Sequence, residues 1–235
     1  MKKILFAGTL ASCFSPLTNA DVINFDNLAT GTIVDDEYST VVSISVNNKR
    51  AGAPDLGVVF DTTNYTGGDS DLAGPFDSNN DALADGFEAF NVLIIQENSA
   101  GCDIVIGICD EPDDEGSRPA GTFFFTFEKL VTLESIDFFD VETTENGETE
   151  NNAIKLFDAA NNEILPGEFY TPDTGGDNMW DQVFFGVDGV KRIELNMGGS
   201  GAIDNIRFTV VPIPAAAWLF GSGLIGLAGL ARRKT

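Results

Sequence analysis

The sequence predicts an all-β fold, an antiparallel β-sandwich of the jelly-roll kind, on three observations. Short apolar runs rich in β-branched and aromatic residues recur along the chain. Clusters of Gly, Asn, Asp and Pro separate them. No stretch of the body sustains a helical period. In chain order the expected strands cover 22–25, 41–46, 57–61, 91–96, 121–128, 130–141, 153–157, 182–187, 191–196 and 202–210. The densest are Phe123-Phe124-Phe125-Thr126-Phe127 and Ile136-Asp137-Phe138-Phe139-Asp140-Val141. Asp188-Gly189, between two runs, reads as a two-residue hairpin turn. Ten or so short strands with turn signals between them are the pattern of a sandwich. Residues 62–90 are polar, Gly-rich and poor in strand signal, so a long loop is expected there. No fixed-period repeat stands out.

The two ends read differently from the body. Residues 1–20 have the three zones of a secretion signal: Lys2 and Lys3, a short apolar run over 4–14, and small residues at Thr18-Asn19-Ala20, ahead of a cut before Asp21. The apolar run is shorter than the roughly 20 residues that span a bilayer. Leu10-Ala11-Ser12-Cys13 also resembles a lipoprotein cleavage box, which would leave Cys13 as the first residue. At the other end, Val211-Pro212-Ile213-Pro214 precedes an uncharged span over 215–231 and then Arg232-Arg233-Lys234. The span has the length of a minimal transmembrane helix. Its basic end predicts a cytoplasmic terminus with the body outside.

Pro212-x-Pro214, the apolar span and Arg232-Arg233-Lys234 together resemble the PEP-CTERM sorting tail in its VPLPA-type variant. The resemblance covers residues 211–235 and not the body. It implies recognition by a membrane exosortase and secretion machinery, processing near the Pro-x-Pro motif, and a membrane-anchored intermediate. Delivery would be to the outer surface or extracellular matrix of an exopolysaccharide-producing Gram-negative bacterium. Ile213 stands where the commonest patterns have Glu or Leu, which leaves the subtype open.

Residues 21–210 remain as one acidic domain, long enough to bury a core. Five of the 13 basic residues (Lys2, Lys3, Arg232, Arg233, Lys234) lie in the two ends, where no acid does. Eight basic side chains therefore face 37 acidic ones over the body, a formal charge near −29. Such a surface repels nucleic acid and favours divalent cations. The chain has no histidine, which removes the commonest general base and most zinc sites. Cys102 and Cys109 form an even pair in an oxidising compartment, so a disulfide is expected.

Calcium is the cofactor the acids suggest, and three places in the body offer oxygen ligands. Asp77, Asn79 and Asp81 alternate, with Glu88 eleven residues after Asp77, the spacing of an EF-hand loop. Ala82 replaces the turn glycine, and the Gly and Pro residues before Asp77 exclude an entering helix, so only a calcium loop on a β-scaffold fits, beside an ordinary solvated turn. Asp110-Glu111-Pro112-Asp113-Asp114-Glu115 is expected to be either a solvated loop or a run held by Ca²⁺. Asn24-Phe25-Asp26 and Ala202-Ile203-Asp204-Asn205-Ile206 resemble the first and last strands of MAM-like and carbohydrate-binding jelly rolls. That resemblance implies a shared structural Ca²⁺ on Asp26 and Asp204.

Tyr170 and Trp180 flank a Gly- and Asp-rich segment and could form a glycan platform; a Trp buried between sheets is the competing expectation. Asp140 and Glu142 share a strand face, as paired carboxylates of a glycoside hydrolase would, but acids are too abundant for that spacing to signify. No catalytic residue is expected. The two functional readings are a calcium-stabilised surface or matrix component and a carbohydrate-binding module.

Overall fold

The structure, a computed structural model, describes residues 20–78, 86–142 and 147–212. The residues from Ala20 to Val211 form one compact unit. It is all-β: β1 (Asp21–Ile23), β2 (Val42–Asn48), β3 (Gly57–Asp61), β4 (Asp77–Ser78), β5 (Asn91–Ile95), β6 (Cys102–Asp103), β7 (Ile108–Cys109), β8 (Gly121–Phe139), β9 (Ile154–Phe157), β10 (Glu163–Ile164), β11 (Met179–Met197) and β12 (Ala202–Val210). Among the described residues the one helical element is the 3₁₀ turn Ser70–Leu72, and no helix is long and apolar enough to cross a membrane. The expected signal at 1–19, and Pro214, the span 215–231, Arg232 and Arg233 of the tail, lie outside the described residues.

Two 19-residue strands organise the fold. β8 and β11 pair antiparallel along most of their length. The first part of β8 also pairs with β2, and the last part of β11 with β9, which carries β10. The second part of β8 pairs instead with β12, whose other neighbours are β5 and β1; β3 adds to β5. β4 joins β11 in parallel. One hydrogen-bonded sheet therefore has two halves. Their inward residues meet in a single core that includes Ile44, Phe125 and Leu195 from one half and Val59, Leu93, Phe138 and Ile203 from the other. This is the arrangement of a β-sandwich. The halves approach so closely that a Cβ added at Gly121 would lie 2.8 Å from Ile95 Cδ1; it would also lie 2.6 Å from the Asn47 carbonyl oxygen on the neighbouring strand β2.

The expected hairpin turn at Asp188-Gly189 does not form. Both residues lie inside β11, and the runs at 182–187 and 191–196 are one strand, as are those at 121–128 and 130–141, the latter ending at Phe139 rather than Val141. Gly186 (φ 62°) and Gly189 (φ 79°) adopt left-handed backbone, and the β8–β11 register slips between Phe184 and Arg192. The Asp-Gly signal marks a break in pairing, but its outcome is a bulge rather than a chain reversal. Residues 128–130, on β8 at this point, are exposed.

A second core explains the long loop. Val58, Phe60, Val92, Ile94, Phe139 and Ala202 turn away from the first core and are covered by Leu72, Phe76 and Ala89 from the 62–90 segment and by Cys109. Hence β3 and β5 are apolar on both faces, because both faces are buried. Among the described residues nine phenylalanines are fully buried across the two cores, each stabilising by roughly 1.5–3 kcal/mol. Cys102 and Cys109 are joined as a disulfide across β6 and β7, as expected.

Candidate cation site

Asp204 is placed by a bulge. β12 uses three steps, Asp204 to Arg207, against two on β8, Asp137 to Ser135. Asn205, at φ 49°, takes the left-handed conformation that Asn tolerates better than most residues. The Asp204 side chain is shut off from solvent at 1 % exposure. Backbone N–H groups of Asn205 and Phe25 donate to its carboxylate, yet Oδ1 has no hydrogen-bond partner. Burial first, and then the charges of Asp26 and Asp137, push its pKa up to about 8. Among the described residues no basic side chain forms an ion pair with it.

Asp26 reaches this point because β1 runs back along β12, with Ile23 opposite Ile206, and Phe25 then anchors the chain in the core. Asn91 pins the following turn: its side-chain amide donates to the carbonyls of Phe25 (3.4 Å) and Leu28 (2.9 Å), and its backbone N–H donates to Asp26 Oδ1 at 3.3 Å. Tyr38 closes the side, its hydroxyl donating to the Asn24 carbonyl. Burial, and then the charges of Asp204, Glu37 and Asp26, push that phenol up to about 12. Residues from opposite ends of the body thus converge: two carboxylates, one exposed and one buried with an orphan oxygen. Hard oxygen donors with uncompensated charge fit a cation such as Ca²⁺, which would draw its remaining ligands from backbone carbonyls and water.

The other expected ligands are placed differently. Phe76 and Phe87 bond each other through both backbone groups and close the base of the segment between them. Asp77 is half-buried in β4, and Glu88 is exposed, with Oε2 beside Gly74. Asn79 and Asp81 lie outside the described residues. The acidic run at 110–115 is solvated only at its start, where Asp110 and Glu111 are exposed. Pro112, Asp114 and Glu115 are buried, and Glu115 accepts from Asn48 Nδ2 at 2.9 Å and from the Ser117 N–H at 2.9 Å. Asp114 Oδ2 accepts the Gly201 N–H at 2.9 Å, while its own N–H donates to Asp69 Oδ2 at 3.1 Å. Asp113 accepts from Asn98 Nδ2 at 2.9 Å. Burial and mutual repulsion raise the carboxyls of Asp69 and Asp114 above the ordinary range and that of Asp113 to about 7. Sequence reading missed Asp69 in this cluster because it lies 45 positions from Asp114. Asp35, Asp36 and Glu37 form a further, exposed acidic triad in a turn.

Tyr170 and Trp180 have different surroundings. Trp180 stacks on Phe87 at 4.5 Å, and its indole nitrogen is buried without a partner, so the ring belongs to the second core. Tyr170 lines a cavity of about 250 Å³ with Glu163 and Lys155. No protein-family model matches the chain, and no curated protein matches it.

Proposed function

We propose that this protein is an exported cell-surface or extracellular-matrix component, associated with exopolysaccharide, whose jelly-roll-like sandwich is locked by Ca²⁺ shared between Asp26 and Asp204. The observation that carries the calcium lock is Asp204 Oδ1, buried and unpaired with a second carboxylate nearby. A buried carboxylate without countercharge, and with one oxygen unpartnered, is strongly unfavourable unless it is protonated or binds a cation. An ion here would tie the first strand to the last and so close the domain. Export and exosortase processing rest on the secretion-type N-terminus and the Pro212–Lys234 tail. Carbohydrate binding is the second reading, favoured by the open face of the β2–β8–β11–β9 half-sheet.

Thermal unfolding in EDTA and then in millimolar Ca²⁺ tests the lock. An ion that binds only the folded state adds about 2.7 kcal/mol at a hundred times its dissociation constant. The expected result is a rise in Tm that Asp26→Ala and Asp204→Ala abolish. A full calcium response in both variants would refute the lock.

A further inference from the structure

The two halves of the sheet are finished differently. The β3–β5–β12 half is covered on its outer side by the second core, whereas the outer face of the β2–β8–β11–β9 half carries exposed residues on β2 and mostly half-buried ones on β8, β9 and β11. One cross-strand row on that face reads Ser45, Phe124, Glu194, Lys155. A groove of about 370 Å³ runs over it, bounded also by Lys49 and Asn196. It adjoins the Tyr170 cavity, and the two share the ion pair between Lys155 and Glu150.

We propose that this groove binds a segment of polysaccharide chain, with Phe124 as the stacking surface and Lys49 as a contact for a carboxylate or hydroxyl. The proposal rests on the polysaccharide-associated reading above and gives it a site. Three observations carry it. The first is aromatic placement: Phe124 is partly open in the groove, and Phe157 stands in the next row, two strands away, with the Arg192 guanidinium 3.8 Å over its ring. Two strand spacings and a two-residue offset separate these rings by roughly 12 Å, a distance that a short run of linked pyranose rings spans. The second is preorganised polarity. Asn196 is fixed by accepting from Thr122 Oγ1 at 2.7 Å and donating to the Ala153 carbonyl at 2.9 Å, and neighbouring Glu194 is held by Arg192. Such fixed groups keep spare donor and acceptor capacity for hydroxyls, in a volume suited to a small ligand.

The third observation is charge. The body has only eight cations, and Lys49, Lys155 and Arg192 all belong to this face or its rim. The Lys49 ammonium donates to Asn47 Oδ1 at 3.1 Å and, among the described residues, pairs with no carboxylate. In the groove Lys49 and Lys155 balance Glu150 and Glu194, so an acidic chain meets less repulsion here than over the rest of so acidic a surface. Neutral and uronate chains share the polyhydroxylated chemistry, and the test separates them.

Isothermal titration of the full chain with cellohexaose, a neutral probe, and hexagalacturonate, an acidic one, tests the groove. The protein is kept in a polyoxyethylene detergent, since a glucoside detergent would compete. Saturable binding of at least one probe is expected, weakened tenfold or more by Phe124→Thr, a substitution that keeps strand propensity. Lys49→Gln should weaken hexagalacturonate alone, and Phe157→Thr, at a separate position, should weaken whichever probe binds. No heat with either probe, or binding unchanged in all three variants, would overturn the proposal. The calcium response of Tm and the surface location of the protein are read separately, so either can stand while the groove fails.

Discussion

Asp137 and Asp204 face each other across β8 and β12, both buried, and only Asp137 has a cation. Arg207 grips Asp137 with both guanidinium nitrogens, at 2.7 and 3.2 Å. Asp204, one bulge away, keeps an oxygen without a partner. The pair predicts an inversion. Asp204→Asn removes a buried charge while preserving shape, so in EDTA at pH 8 it should raise Tm. In millimolar Ca²⁺ the same variant should fall below the wild type, because it has lost a ligand. Melting curves of both proteins in both buffers check this; a variant that is less stable in both would show that Asp204 contributes mainly through its backbone hydrogen bonds.

The raised carboxyls give the domain an unusual pH response. Asp204 and Asp113 titrate near 8 and 7 in the folded state, and Asp69 and Asp114 are raised as well. An unfolded Asp titrates at about 3.9. Between these values the folded chain holds more protons than the unfolded one, so stability falls as pH rises. The contribution is fully present below about pH 4 and is lost as pH passes through the folded values. Asp113, being partly open to water, contributes less than the buried groups. In EDTA, Tm should drop by several degrees from pH 5 to pH 8, and Ca²⁺ should flatten the decline by replacing protons as the compensating charge. A Tm that stays level in EDTA would contradict the protonated cluster.

Much of this fold is legible in the sequence because strands announce themselves locally. The run at 202–210 coincides with β12, and 57–61 with β3, since their apolar residues and flanking turn signals are contiguous. The Cys102–Cys109 pairing is legible for the same reason. What the sequence hides is whatever depends on distant partners. Asp188-Gly189 carries a hairpin signal, but its flanking runs are already committed to β8 along a common line, so the glycine relaxes a bulge. The acidic run at 110–115 looks solvated until Asp69, Asn48 and Gly201 arrive from elsewhere to meet it. The pairing of Asp26 with Asp204 rests on a resemblance to MAM-like and carbohydrate-binding jelly rolls; the bulge at Asn205 that buries one of them has no local signature.

Gly121 should tolerate no side chain. Its added Cβ would lie 2.6 Å from the Asn47 carbonyl oxygen, which is backbone and cannot turn aside, and 2.8 Å from Ile95. Gly121→Ala would have to push β2 or β5 outward where the two halves meet. Overpacking of this kind costs about 1–3 kcal/mol, so Tm should fall by about 2–10 °C for a domain of this size. Gly52→Ala, with nothing within 4 Å of the added carbon, tests its left-handed backbone alone (φ 85°) and should cost less. Equal losses in the two variants would refute the steric account.

The disulfide should matter more to the loop layer than to the sandwich. It closes a loop between residues seven positions apart, for which chain entropy gives about 2.5 kcal/mol. Cys109 is buried in the second core, and its N–H donates to the Gly31 carbonyl at 2.8 Å, while Gly107 accepts from the Ile33 N–H at 2.9 Å. The hairpin is therefore stitched to the 31–33 segment, and through Ile33 to Val58. The joint variant Cys102→Ser with Cys109→Ser should lower Tm by about 5–10 °C. It should also speed amide exchange at position 109 and at Ile33 by more than at Phe125 in the first core. Uniform acceleration at all three positions would mean that the hairpin and the sandwich unfold as one unit and that the second core has no independent stability.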